Sequence, residues 1–397
     1  MNHEQAFFFQ VLQDYLHGSV TAKPQEAELS KVFTWAEKHK LSAIFFIQCE
    51  HFLKPDTSGF QRLHRSFGAA VAQYVARQQA GAKFRTAMDA ASLPYLPIKG
   101  PWVGEAYPHP QLRTMSDLDF LVRAEDAEQI RSSLISHGFE NTMWSETGWD
   151  YTFGQTLFEL HTALLHSRSP ETSALAELLE QFREYVHPAE GSCYELEPTF
   201  HFLFLIAHLA THLRYAGVGY RQFFDLAVVM ERGNYEIDWA RLREQTERIG
   251  FFKFVQLCLA LNQRWFGTPS PYDTELLTDE FFDRITEKIF ADGVFGGDNV
   301  ENRNHNLRSA QKVSPMPLPL LKLKTAARLA FPPYRELITL EKYRFLRGKP
   351  WLTPVAWIYR IVRSKRKKSR KSELAAVLTT KQSDLDKRDD LLKELGL

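Results

Sequence analysis

The chain carries two aspartates one residue apart, Asp117 and Asp119, ahead of an apolar Phe120-Leu121-Val122. If residues 117–122 form a strand, its period of two sends both carboxylates to one face and Leu118, Phe120 and Val122 to the other. At ~3.3 Å rise per residue, the two Cα atoms then lie roughly 6.6 Å apart. Carboxylates so spaced reach one divalent cation, or two held about 3.5–4 Å apart. Without a cation they repel, and aspartate is in any case depleted in strands. Bearing that cost twice on one face points to chemistry. Upstream, Tyr95–Ile98 reads as a short strand, followed by Lys99-Gly100-Pro101. Glycine and proline there start a helix, whose free N–H groups and dipole favour an anion. Lys99 adds positive charge, Pro108 and Pro110 mark a turn, and Arg113 follows as a second cation for a phosphate oxygen. A phosphate seat beside a carboxylate pair is what metal-dependent nucleotide chemistry requires.

Alone, an Asp-x-Asp is common in solvated turns and at strand edges, and it also occurs in glycosyltransferases that hold a nucleotide-sugar through a metal. The ordered set is more specific. Lys99, Gly100, Tyr107, Pro110, Arg113, Asp117 and Asp119, closing on an apolar strand end, resemble a family of largely uncharacterised bacterial nucleotidyltransferase-like proteins in the DNA polymerase β-type superfamily. The resemblance implies an α+β fold, a small mixed β-sheet core of polymerase β-like type embedded in a mostly helical protein. It also implies an NTP substrate, Mg²⁺ or Mn²⁺ at Asp117 and Asp119, and nucleotide contacts at Lys99, Gly100 and Arg113. The superfamily usually has Gly-Ser before its aspartates, where this chain has Lys99-Gly100 and then proline.

A third carboxylate is expected on a neighbouring strand. Phe158-Glu159-Leu160-His161 alternates in strand fashion, placing Glu159 and His161 on one face. The run resembles the family's acidic-x-His strand. Glu159 is therefore assigned as the third catalytic and metal-side carboxylate, with His161 as a ligand or phosphate contact. Asp150, at the start of the same strand-like stretch, is the rival third acid.

A chain of 397 residues is longer than one typical domain, and 44% hydrophobic content suffices for a sizeable core. A net charge of +1 argues against a general polyanion binder. Three widely spaced cysteines exclude a zinc framework and suit reduced thiols buried as small apolar groups. With no signal peptide and no run of 18 apolar residues, a cytoplasmic location without a membrane span is expected.

Helical periodicity covers residues 5–16, 26–52 with a break near Leu41-Ser42, and 58–91. Strand and helix signals alternate only over 92–165, as strand 94–98, helix 101–107, strand 116–122, helix 125–136 and strands 139–144 and 150–161. This gives an N-terminal helical region (1–91), the nucleotidyltransferase-like core (92–165) and a helical cleft wall (166–291). A linker (292–317), C-terminal helices (318–363) and a mobile tail (364–397) follow, the tail with a short surface helix from Ser383 to Leu395. A core of about 70 residues buries too little surface alone, so the flanking helices must cover it.

Two clusters remain. His208 and His212 share a helix face, with Arg221 and Asp225 following. Leu209 stands where a His-Glu-x-x-His motif would need glutamate, so cleft-lining roles are expected, with Asp225 paired to Arg221 or a histidine. The second cluster is the basic run over residues 360–371. It reads as a solvated tail, or as a weak contact for an anionic surface. No DNA-binding motif is present. The functional expectation is metal-dependent nucleotidyl transfer from an NTP to an acceptor (peptide, glycan or small molecule) that no residue identifies. The alternatives are a catalytically silent nucleotide- or partner-binding module, motivated by Lys99-Gly100, and a nucleotide-sugar-dependent transferase. The last predicts a larger Rossmann-like parallel sheet before the Asp-x-Asp.

Overall fold

The computed structural model describes residues 1–145, 147–165, 170–294, 307, 310–311, 314, 316–338, 340–364 and 368–397. Four helices come first: α1 (His3–His17), α2 (Leu29–Lys38), α3 (Ser42–Cys49) and α4 (Ser58–Ala90). Helix α1 starts before the apolar periodicity because Asn2 and Gln5 form a reciprocal capping box, and it stops at Gly18, whose φ is +74°. The expected break in the second helical stretch falls at Lys40, where φ is +60°.

The sheet follows, as β1 (Tyr95–Ile98), α5 (Gly100–Ala106), β2 (Asp117–Val122), α6 (Ala127–Ser136), β3 (Glu140–Trp144), β4 (Gly148–Phe153) and β5 (Thr156–His161). The strand order is β1-β2-β5-β4-β3, with β2 and β5 parallel and the other pairs antiparallel. It is a mixed sheet with a single parallel pair, not the parallel Rossmann-like sheet that a nucleotide-sugar transferase would require. The expected single strand over 150–161 is instead a hairpin. Gly154, at φ +58°, leads a two-residue turn that pairs Phe153 with Thr156.

The sheet has two unlike faces. On one, Phe120, Phe158 and Leu160 pack with Phe84 and Met88 of α4 and with Ile130 and Leu134 of α6. Phe84 stacks on Phe120 with ring centroids 4.3 Å apart. The other face presents Leu96, Ile98 and Leu121 to the main core, and the carboxylates stand on that face. Two short strands, β6 (Val186–Pro188) and β7 (Tyr194–Leu196), come after α7 (Pro170–Leu179). Helices α8 (Pro198–Tyr215), α9 (Tyr220–Arg232), α10 (Trp239–Arg248), α11 (Phe252–Phe266) and α12 (Asp279–Asp292) then build the main core together with α1 to α3. The protein is therefore a mostly helical α+β structure around a five-stranded mixed sheet. Among the described residues, no helix is long and apolar enough to cross a membrane.

The expected linker over 292–317 lies largely outside the described residues. Beyond it come α13 (Leu318–Ala330), the single turn α14 (Tyr334–Leu337), α15 (Thr353–Ser364), α16 (Lys368–Thr379) and α17 (Gln382–Leu395). Within the C-terminal helices expected over 318–363, the chain instead forms the single turn α14 and 3₁₀ turns at 341–346. The side chains of the basic run over 361–371 lie outside the described residues. The expectation of a mobile tail is corrected at its far end. Leu391, Leu392 and Leu395 of α17 are buried in the main core, and buried Arg388 donates to the Leu213 carbonyl. Its apolar residues fall on one helical stripe, which the mixed charge of the segment masks in the sequence.

Helix α17 should accordingly stabilise the helical body. Leu392→Ala should lower unfolding stability by about 2–4 kcal/mol in denaturant titration, as for other buried leucine truncations. An unchanged midpoint would mean that α17 is not docked in solution.

Candidate active site

Strand pairing assembles the carboxylates. Asp119 of β2 is the register partner of Glu159 on β5, and Glu159 that of Asp150 on β4. Three acids from three strands thus stand side by side on one face. His161 lies two residues beyond Glu159 on the same face, and Lys99 follows directly on β1, whose Ile98 pairs with Asp119. Lys99 holds φ at +53°, a conformation that L-residues rarely adopt, where the chain turns from β1 into α5.

Asp119 is the buried centre of the group, only 4% exposed. One of its oxygens, Oδ1, accepts from Lys99 Nζ at 2.7 Å and lies 2.8 Å from His161 Nε2. Burial alone would raise its pKa, but Lys99 and His161 hold it well below the usual carboxylate range. Its neighbours lack such compensation. Burial and then the charges of Asp119 and Asp117 push Glu159 up to about 7. Asp117 and Asp150 are also raised, each first by burial.

All of these groups except His161 and Asp150 line a cavity of about 350 Å³ between the sheet and helices α8 and α9. Lys99, Gly100, Asp117, Asp119 and Glu159 form one wall, and His208, His212 and Arg221 the other. The two histidine rings meet edge to face at 4.4 Å. Burial, then the charge of Lys99, keeps both neutral, with His212 drawn down to about 4. Arg221 donates to the Thr114 carbonyl, and its buried Nε has no partner. Arg113 lines the same cavity but is taken up by a protein partner. Its guanidinium grips Asp225 through Nε at 3.0 Å and Nη2 at 2.8 Å, with Tyr107 donating to the same carboxylate at 2.7 Å. The expected pairing of Asp225 with Arg221 or a histidine is thereby corrected. Its partner is Arg113 because α9 packs against α5 and the segment leading into β2. The guanidinium fork expected to meet a phosphate is thus filled by protein. Ser116, which also lines the cavity, carries no signal in its sequence position that would mark it for the site.

Among the described residues, Asp119, Glu159 and His161 form the compact donor set, each offering an atom within 4.8 Å of the others. Two carboxylates and an imidazole are a donor set that could hold a divalent metal ion. The acids around them are raised first by burial, and a bound cation would favour their ionised forms. Asp117 lines the same cavity outside that compact set.

A carboxylate-lined cleft with lysine and arginine beside it defines a class of site suited to phosphoester chemistry. The family model described as an uncharacterised nucleotidyltransferase matches residues 25–267, well over half of the chain, and the chain belongs to that family. No curated protein and no solved structure gives a match.

Two tests follow from this geometry. Asp225→Asn leaves a buried guanidinium uncompensated and should lower stability by about 3–5 kcal/mol in chemical denaturation, whereas a loss within error would show the pair to be dispensable. The second concerns pH. Because Glu159 titrates at about 7 rather than its ordinary 4.5, the folded protein retains a proton that the unfolded chain has lost between those values. Its stability contribution is present below the lower value and lost as pH rises through the upper one. A divalent cation needs the deprotonated form, so Mn²⁺ should raise the melting temperature more at pH 8 than at pH 5.5. Equal shifts at both pH values would remove Glu159 from the ligand set.

Proposed function

We propose that this protein is a metal-dependent nucleotidyltransferase of polymerase β-like architecture, moving a nucleotidyl group from an NTP to an acceptor hydroxyl or phosphate. The observation that carries the reading is the register of Asp119 and Glu159 on adjacent parallel strands, facing a cavity with Lys99 and Arg221. Asp117, Asp119 and Glu159, with His161, would hold one or two Mg²⁺ or Mn²⁺ ions. Such ions neutralise the triphosphate and polarise the α-phosphorus. Lys99, Gly100 and Arg221 bind the phosphates, Arg221 through the guanidinium edge that lacks a protein partner. Glu159 accepts the proton of the acceptor as the new P–O bond forms and pyrophosphate leaves. His208 and His212, neutral and half-buried, contribute hydrogen bonds on the α8 wall, the side on which the acceptor would approach.

One observation favours a second reading. Lys99 lies directly on Asp119, where a metal-bound carboxylate would need to be free, and this supports a catalytically silent nucleotide-binding module. Mass spectrometry of candidate peptide, glycan and small-molecule acceptors, incubated with each NTP and Mn²⁺, separates the two. Transfer gives an acceptor heavier by one nucleotidyl group, while the silent module shows calorimetric NTP binding and no product. If transfer is observed, Asp119→Asn and Asp117→Asn should each reduce turnover by roughly 10²-fold or more. Arg221→Gln should raise KM for the NTP by about tenfold with a smaller change in kcat. Undiminished turnover in Asp119→Asn would refute the mechanism.

A further inference from the structure

A second cavity, of about 410 Å³, lies on the other face of β2. Leu118 and Phe120 line it, whereas Asp117 and Asp119 line the first, and Met115 touches both. Its walls come from α4, the edge strand β1, α5 and β7, with His201 of α8 at one side.

Three observations single it out. Arg77 of α4 is 7% exposed, and its Nη1 donates to the Met115 carbonyl at 3.0 Å. Its Nη2 is buried with no partner, and among the described residues no carboxylate is in ion-pair contact with it. Burial and then the charge of Arg113 draw its pKa down to about 10. The charge of Asp117 acts on it from beyond ion-pair distance, but a buried cation with no carboxylate in contact is costly unless an anion completes it. His201 is the second observation. It is 1% exposed, stacks on Trp102 at 4.0 Å, and both its ring nitrogens are buried without partners. The third is Gly81, in the middle of α4 and on the cavity wall. An added Cβ there would meet only Arg85 Nη1, at an ordinary 3.8 Å. Alanine would fit and is a better helix former, so neither backbone nor packing calls for glycine. Its effect is to keep the cavity open.

We propose that this cavity binds a small organic anion, an apolar body ending in a carboxylate or phosphate monoester, with the anion on Arg77. The body would lie against Leu118, Phe120 and the edge of Trp102, whose ring faces are covered by His201 and Tyr235, and His201 would supply a neutral donor and acceptor to a polar substituent. The rim carries Glu105 and Glu195, and burial followed by the charge of Glu195 already raises the Glu105 pKa. A triphosphate would meet that negative rim, which separates this ligand class from the NTP of the first cavity. The site is independent of the transfer reading.

The test uses the full chain with phenyl phosphate, benzoate, inorganic phosphate and benzyl alcohol, followed by calorimetry and thermal shift. Phenyl phosphate or benzoate should bind and raise the melting temperature, the tighter of the two identifying the head group, and benzyl alcohol should do neither. Arg77→Met should weaken that binding by about tenfold or more, the loss of a charged hydrogen bond. Gly81→Leu places a side chain in the cavity one helical turn from Arg77 and should abolish it while the helix stays folded. Arg221→Gln, in the first cavity, should leave it unchanged. The proposal is overturned if binding survives Gly81→Leu but is lost in Arg221→Gln, since the ligand then sits among the carboxylates. It is equally overturned if inorganic phosphate binds as well as phenyl phosphate, both to the unaltered chain and to Gly81→Leu, an adventitious ion only. It also falls if no organic anion shifts the melting temperature, because water then satisfies Arg77.

Discussion

A carboxylate as buried as that of Asp119 must have positive charge against it, and the rest of the site is arranged around this requirement. The two groups that meet it come from different strands. Lys99 sits at the end of β1 and His161 at the end of β5, and both reach the same oxygen because β1 and β5 flank β2. If either neighbour were exchanged or shifted by one residue, the side chains would point to the wrong face and Asp119 would be buried unpaired. The strand order and the charge balance of the site are therefore one constraint. Glu159 and Asp117 sit outside the compensation and carry raised pKa values, which leaves the cluster electrostatically ready for a cation.

The sheet holds this arrangement because its two faces do different work. The aromatic face against α4 and α6 is a packed core, with Phe84, Phe120 and Phe158 stacked. The polar face is closed by α8 and α9, and the Arg113–Asp225–Tyr107 network ties α9 to the segment that leads into β2. Arg221, one turn before Asp225, also donates to the Thr114 carbonyl of that segment. The helical body is thus part of the site rather than an attachment to it. Helix α17, returning from the far end of the chain into the same body, extends that dependence to the C-terminal residues.

Much of this is legible in the residues. Asp117-x-Asp119 before an apolar run, and Glu159-x-His161 within an alternating one, specify strand faces by period alone, and the structure has those faces. Other features are not legible, for identifiable reasons. The β4–β5 hairpin is hidden because its turn is only Gly154 and Gln155, across which the alternation changes phase from odd buried positions in β4 to even ones in β5. Arg113 is 112 residues from Asp225, and nothing local distinguishes a guanidinium bound for a buried carboxylate from one bound for a phosphate. Helix α17 reads as surface because charge dominates its composition while its leucines share one stripe.

The sequence by itself determined which side chains share a face, where helices start and stop, and which acids and cations were available, because periodicity and capping act within a few residues. Only the tertiary structure decided which of those groups meet. The order β1-β2-β5 chose Lys99 and His161 as the partners of Asp119, and the packing of α9 gave Asp225 to Arg113 and left Arg221 facing the cavity. Pairings of this kind are set by strand order and helix docking between distant segments, where the burial of one charge compels the approach of another.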